Sequence, residues 1–243
     1  DPEKLARRLF EWEMRSEWDF FHGAAETYAH VLGDKGLAAY RKLAEAEWAK
    51  LPPSDAADAE GPFDHTRYRI TSIMESLARA SGDVEELVAV KEHDLSNSYR
   101  YLDIATTYHQ ARKYSKALEW AEAGLKAFPE RPDSRLREFL AREYRRRRRH
   151  DDALAMLWAN FADRPDLGAY QELHDYAERI GKWPAWRGKA LEYIGSHPSA
   201  RSRFNRYSEV VKILLWEGET EAAWNDGQAR GCSNDQWLGL VRR

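Results

Sequence analysis

The sequence predicts an all-α fold, a right-handed α-solenoid of stacked antiparallel helix hairpins, and three observations carry that expectation. Between Tyr99 and Pro165 a repeat is visible: Tyr108, Ala117 and Pro129 recur as Tyr144, Ala153 and Pro165, all at an offset of 36 residues. Hairpin-sized blocks with Gly-containing hinges continue on both sides of this pair. No segment keeps a period of two, so no sheet is expected. A hairpin of this size buries its apolar face only against a neighbour, which is why the blocks are expected to stack in order.

Along the chain, residues 2–19 read as a first helix, with Leu5, Leu9 and Trp12 at helical spacing and Pro2 in the first turn, where a missing N–H costs nothing. His22 to Leu32 and Lys35 to Leu51 read as two further helices broken at Gly33-Asp34, the second burying Tyr40, Leu43, Ala44, Trp48 and Leu51. Pro52 to Pro62 carries three prolines with almost nothing to bury and reads as a mobile loop and the best boundary. Residues 65–94 then give a hairpin hinged at Gly82-Asp83, with Ile70, Ile73, Met74 and Leu77 on one face and Leu87, Val88 and Val90 after the break. Beyond the two clear repeats, hairpins are expected over Leu167 to Pro198 and Arg201 to Ala229, and past Gly231 the first turns of another helix. The organisation is therefore a helical cap over 1–51, a loop over 52–64 and repeats over 65–243, the cap and repeats forming one continuous solenoid.

Hydrophobic residues make up 43% and charged residues 33%, enough apolar material for a packed core and against disorder. The formal charge of -3 gives no overall field to recruit nucleic acid or a membrane, so any such attraction has to be local. Cys232 is the one cysteine, which excludes an internal disulfide and a Cys-rich zinc site and fits a reducing cytoplasm. No apolar run approaches the ~18 residues of a membrane span. The start without Met and the end at Leu240-Val241-Arg242-Arg243 read as a piece of a longer protein.

Within each clear repeat the Tyr stands nine residues before the Ala, the Pro twelve after it, and Ile104-Ala105 or Leu140-Ala141 precede the Tyr. This resembles the tetratricopeptide repeat, in which small residues let two helices approach and the Pro ends the second. The repeat is two residues longer than the usual ~34, and Arg137 stands where that pattern commonly has a bulky apolar residue. The longer wording, with LARRLFEWE, ITSIMESLARASGDVEELVAVK and LLWEGETEAAW, resembles the helical region of bacterial proteins of unknown function, many of which also carry a SWIM-type zinc finger. With Cys232 alone the finger is absent, so its metal and any DNA contact do not carry over. The resemblance implies a scaffold beside a functional module and offers no catalytic residues.

Three constellations stand out from the background. His22, Glu26 and His30 are spaced by four and four on one expected helix, but His22 and His30 then lie about 12 Å apart, too far to share an ion without distortion. His174 and Glu178 form a similar pair. Arg145 to Arg149, with Arg142, places six arginines within eight residues. Such a run holds a phosphate-rich or acidic partner, or fills a solvated turn with its charge met by Asp151, Asp152 and Glu143. Trp48, Trp120, Trp158 and Trp224 are read as core, and Trp183 and Trp186 as an exposed hinge. There is no Gly-rich phosphate loop, no nucleophile elbow and no His-Glu-x-x-His, so a catalytic site or cofactor is not expected.

The expected function is a non-catalytic scaffold binding a peptide or protein segment in a concave groove. By resemblance to tetratricopeptide arrays, the groove is lined by Tyr99, Leu102, Thr106 and His109 from one first helix and by Arg135, Glu138, Arg142, Arg145 and Arg146 from the next. Apolar anchors beside arginines imply a hydrophobic segment flanked by acids. The alternatives are a nucleic-acid-associated module using Arg145 to Arg149, and an enzyme whose site is assembled only in space.

Overall fold

The computed structural model describes residues 1–15, 21–58, 64–130, 132–196 and 203–241. The fold is an all-α helical-repeat solenoid. Among the described residues the single β feature is one isolated bridge between Ser54 and Asp94. Close packing divides the chain into two compact units, residues 1–136 and 137–243, with the division inside a helix.

The first unit opens with α1 (Pro2–Arg15), α2 (Ala24–Thr27) and α3 (Ala29–Trp48), followed by the hairpins α4 (His65–Ser81) with α5 (Val84–Glu92) and α6 (Ser98–Gln110) with α7 (Tyr114–Ala127). The buried side of α1 is Ala6, Leu9, Phe10 and Glu13. The stripe is rotated from the expected one, because Trp12 stays 42% exposed, stacked on Phe21 and under Arg8. Gly33 breaks helical geometry inside α3 (φ 56, ψ -175), at the expected hinge, but helix resumes at once, so the two expected helices form one kinked rod. Tyr40 and Ala44 are fully buried, whereas Leu43, Trp48 and Leu51 pack at the margin of the same core. That core joins α1, α2 and α3 to Ile70, Ile73, Met74 and Leu77 of α4. It therefore runs across residues 52–64.

The loop is tied down on its N-terminal side. The Ser54 N–H donates to the His93 carbonyl at 3.0 Å, and the Leu95 N–H donates to the Ser54 carbonyl at 2.8 Å. The remainder of that loop, 59–63, and the end of the expected first helix, 16–19, lie outside the described residues.

One buried carboxyl links three elements of this core. Glu13 accepts from the Tyr40 hydroxyl and from the Gly23 N–H at 2.8 Å. Burial holds its carboxyl above the usual carboxylate value, more strongly than these donors pull it down. A group whose folded value is raised gives its full stabilisation below its unfolded value and loses it as pH rises through the folded one. Glu13→Gln keeps an acceptor and removes the charge. Its stability relative to the wild type, followed by urea denaturation from pH 4 to 7, should rise with pH. A constant difference would mean that Glu13 titrates normally.

The second unit begins in α8 (Ser134–Arg146) and continues through α9 (His150–Asp163), α10 (Leu167–Arg179), α11 (Trp183–Ser196), α12 (Arg203–Glu217), α13 (Thr220–Arg230) and α14 (Asn234–Val241). The sequence repeat is matched helix by helix: α8 and α9 begin and end 36 residues after α6 and α7. Capping repeats as well. Asn97 accepts from the Arg100 N–H at 3.3 Å, and 36 residues on Asp133 accepts from the Arg135 N–H at 2.8 Å, satisfying helix-start donors that have no intrahelical partner. The expected anchors are buried in both units, namely Tyr108 and Ala117 in the first, Tyr144 and Ala153 in the second. Arg137, the departure from the apolar pattern, is itself buried; its Nε donates to Asn160 at 2.7 Å and its guanidinium pairs with Asp163.

The tryptophan reading is corrected. Trp48, Trp120 and Trp158 are only half-buried and Trp224 is 37% exposed, while Trp183 is buried at 8%. Trp183 stands at the first turn of α11, where its ring meets Tyr170 at 5.2 Å and His174 at 4.7 Å, so the hinge tryptophan is a packing residue.

Candidate functional site

The second unit carries a cationic cleft of about 1070 Å³ where the ends of α8 and α10 meet the turns that follow them. Its position follows from the pattern of α8. Leu136, Phe139, Leu140 and Tyr144 recur at three and four and are buried, which leaves Arg135, Glu138, Arg142 and Arg146 on the exposed face. The arginine run then leaves the helix. Arg145 and Arg146 occupy its last turn, where cations complement the helix dipole, Arg148 sits in the turn, and Arg149 precedes α9.

The turn has a strained member. Arg148 adopts φ 57, the left-handed region, and lets the Arg149 N–H reach back to the Tyr144 carbonyl at 2.9 Å. Arg112 (φ 60) stands in the same region at the corresponding turn of the preceding hairpin, and Gly181 and Gly218 at those of the next ones. Arg148→Gly should therefore raise stability by about 0.5–1 kcal/mol, the relief of left-handed strain less the added freedom of the unfolded chain. Thermal unfolding checks this, and a loss of stability would contradict it.

Part of the run is neutralised locally. Buried Glu143 pairs with Arg146 at 3.1 Å and with Arg147, Arg149 donates to Asp152 at 2.7 Å, and Lys182 pairs with Asp151. Arg142, Arg145, Arg148 and Arg179 have no carboxylate within ion-pairing distance among the described residues. Arg145 and Arg179 both lie over the ring of Tyr176, at 4.5 and 5.1 Å. The Tyr176 hydroxyl is in turn 2.8 Å from His150 Nδ1. The Nε of Arg145 is buried without a hydrogen-bond partner. Burial, followed by repulsion from Arg179, lowers the pKa of its guanidinium, against a weaker pull from Tyr176 and Glu172.

The expected site residues are only partly brought together. Arg142, Arg145 and Arg146 line the cleft, whereas Glu138 is exposed on α8 and is not part of its wall. In the first unit, Tyr99 is exposed but carries Arg135 over its ring at 4.6 Å, His109 packs on Tyr114 at 5.1 Å, and Thr106 is half-buried. Leu102, expected to line the groove, is 9% exposed and lies among the buried hydrophobic residues. Sequence reasoning passed over Arg179, Lys182 and Tyr176. The signal for Arg179 was available, since it ends α10 as Arg146 ends α8.

The histidine constellations do not survive folding as expected. His22 precedes α2, Glu26 lies in α2 and His30 in α3, with the non-helical Tyr28 between them, so the three do not share a helix. His174 turns its ring to Trp183 and Trp216 at 4.7 and 4.9 Å. Among the described residues no three His, Cys, Asp or Glu side chains could hold a metal ion together. The smaller cleft beside His174, about 390 Å³, contains Glu217, which is already bonded by Tyr170 at 2.7 Å and by Arg187 at 2.7 and 2.9 Å. It is a satisfied network. No helix among the described residues is long and apolar enough to cross a membrane.

Comparison with protein families matches residues 1–199 to the model described as "Family of unknown function (DUF6880)". The chain belongs to this family. The cleft, Arg142 to Lys182, falls inside the matched part of the DUF6880 chain. A search of curated proteins found no match. Among solved structures, the chain is similar to the MamA protein, at 15% identity and a TM-score of 0.38 over 67% of this chain and 88% of that one. It is also similar to a tetratricopeptide repeat protein from Parabacteroides merdae ATCC 43184, at 15% identity and a TM-score of 0.31 over 97% of this chain and 98% of the other.

Proposed function

We propose that this chain is a non-catalytic protein-interaction scaffold whose arginine cleft holds an acidic segment of a partner protein, beside a functional module such as a SWIM-type finger in longer proteins. One observation carries the reading: Arg142, Arg145, Arg148 and Arg179 line one cleft with no carboxylate at ion-pairing distance among the described residues. Guanidiniums left in this state at a concave surface gain from a carboxylate that forks onto them, and the gain is larger where water is partly excluded. The apolar half of the groove expected from sequence drops out, because Leu102 is core and the ring of Tyr99 is occupied by Arg135.

The enzyme and nucleic-acid alternatives have less to draw on. The titratable groups of the cleft are mostly cations, and the hydroxyl that does stand beside a base, that of Tyr176 at 2.8 Å from His150 Nδ1, belongs to a side chain only 3% exposed. Single strands are held by bases stacking on open aromatic faces. Here Tyr176, the tyrosine that lines the cleft, is 3% exposed and lies under Arg145 and Arg179.

Fluorescence anisotropy tests the proposal with three labelled probes: an Asp- and Glu-rich peptide, its Asn- and Gln-substituted counterpart, and a single-stranded oligonucleotide. The acidic peptide should bind, the neutral one should not, and the acidic peptide should displace any bound oligonucleotide. Equal binding of the two peptides would refute the reading. An oligonucleotide that no peptide displaces would replace it with nucleic-acid binding.

A further inference from the structure

We infer that the cleft is built for a phosphoryl group, carried on a serine or threonine of the acidic segment, an inference that rests on the scaffold reading above. The argument begins with charge. Seven cationic side chains line the cleft, namely Arg142, Arg145, Arg146, Arg148, Arg149, Arg179 and Lys182, against the carboxylates of Asp151 and Asp152. With Arg146, Arg149 and Lys182 already engaged by acids, four guanidiniums face the ligand. A single carboxylate brings one charge and two oxygens. A phosphomonoester brings a charge of about -1.5 to -2 and three strong acceptor oxygens, which matches several guanidiniums at one point.

Preorganisation points the same way. Arg145 and Arg179 both lie over the same ring, Tyr176, so their guanidiniums are placed near one another before any ligand arrives. A guanidinium fixed by stacking loses little freedom on forking to an anion, whereas a lysine is a mobile point charge. The buried Nε of Arg145 without an acceptor supplies a donor whose missing bond costs free energy until an oxygen reaches it. Arg148 brings its cation to the cleft from the left-handed turn position that Arg112 also occupies 36 residues earlier and that the following hairpins fill with glycine.

A protein partner is favoured over a nucleic acid because phosphodiesters come with bases, and Tyr176, the tyrosine that lines the cleft, has its ring covered by Arg145 and Arg179. Isothermal titration of the full chain with three peptides of one Asp-containing background tests the inference. Their central residue is serine, glutamate or phosphoserine. The phosphoserine peptide should bind about tenfold or more tightly than the glutamate peptide, and inorganic phosphate should compete only at much higher concentration. Arg145→Lys and Arg179→Lys keep charge but lose the fork; each should weaken the phosphoserine peptide more than the glutamate peptide, so that the preference between them falls severalfold. Circular dichroism confirms that both variants are folded.

Equal affinity for phosphoserine and glutamate, both above serine, would overturn the phosphoryl inference and leave the acidic-segment reading standing. Absence of binding by all three would overturn both. Inorganic phosphate binding as tightly as the phosphopeptide would make the ligand a free anion, and displacement of the phosphopeptide by an equimolar oligonucleotide would make it a nucleic acid. Either result contradicts the protein partner.

Discussion

Replacing Arg142 and Arg145 together by glutamate should weaken binding of an Asp- and Glu-rich peptide by about a hundredfold or more, since like charges facing each other cost several kcal/mol. The change moves the local charge by four where the ligand must approach. Loss should appear first in the association rate, because the cations steer an acidic chain toward the cleft, and the dependence of affinity on salt should flatten. Arg142 is exposed, so its reversal leaves the fold intact. Arg145 is half-buried over Tyr176, and the pair Arg142→Glu with Arg148→Glu provides a control in which both side chains are exposed. That second variant should lose affinity to a similar extent. Full affinity in both would reduce the run to a solvated turn.

Lys91→Ala should cause the largest loss of stability, about 3 kcal/mol in urea denaturation. Lys91 is 7% exposed and its ammonium lies between Asp103, with which it pairs, and Glu75 at 3.6 Å. Taking it away leaves two carboxylates facing each other across α4, α5 and α6 with only Arg79, at 2.5 Å from Glu75, to offset them. The cost is that of stranded charge, not of the lost methylenes. Lys91→Met, which refills most of the volume, should therefore recover little, whereas adding Glu75→Gln to it should recover a good part. Full recovery by Met alone would show that packing and not charge is responsible.

The helices and their hinges were legible in the sequence because each has a local cause. The 36-residue offset of Tyr108, Ala117 and Pro129 marked the two central hairpins, and Gly33, Gly82, Gly181 and Gly218 all take positive φ where the breaks were expected. What was not legible depends on which neighbour a side chain meets. Periodicity alone places Trp12 on the buried stripe of α1 because it is apolar by type, yet it lies over Phe21, and a hinge position does not reveal that Tyr170 and His174 cover Trp183.

The site divides along the same line. The run from Arg145 to Arg149 was visible, but which of its members are neutralised is decided by buried Glu143 and by Asp152, and the convergence of Arg179 on Tyr176 depends on α10 folding back beside α8. Leu102 was assigned to a groove from repeat position alone, whereas the packing of the first unit buries it.

The account rests on four guanidiniums being the ones that meet the partner, and nuclear magnetic resonance of the arginine Nε–H groups, assigned by single Arg→Lys variants, measures this directly. On titration with the acidic peptide, the signals of Arg142, Arg145, Arg148 and Arg179 should shift and their exchange with water should slow. Arg41 and Arg187, already bound to Glu86 at 2.5 Å and Glu217 at 2.7 Å, should stay where they are. Binding accompanied by shifts at other arginines, with these four unmoved, would contradict the assignment of the cleft.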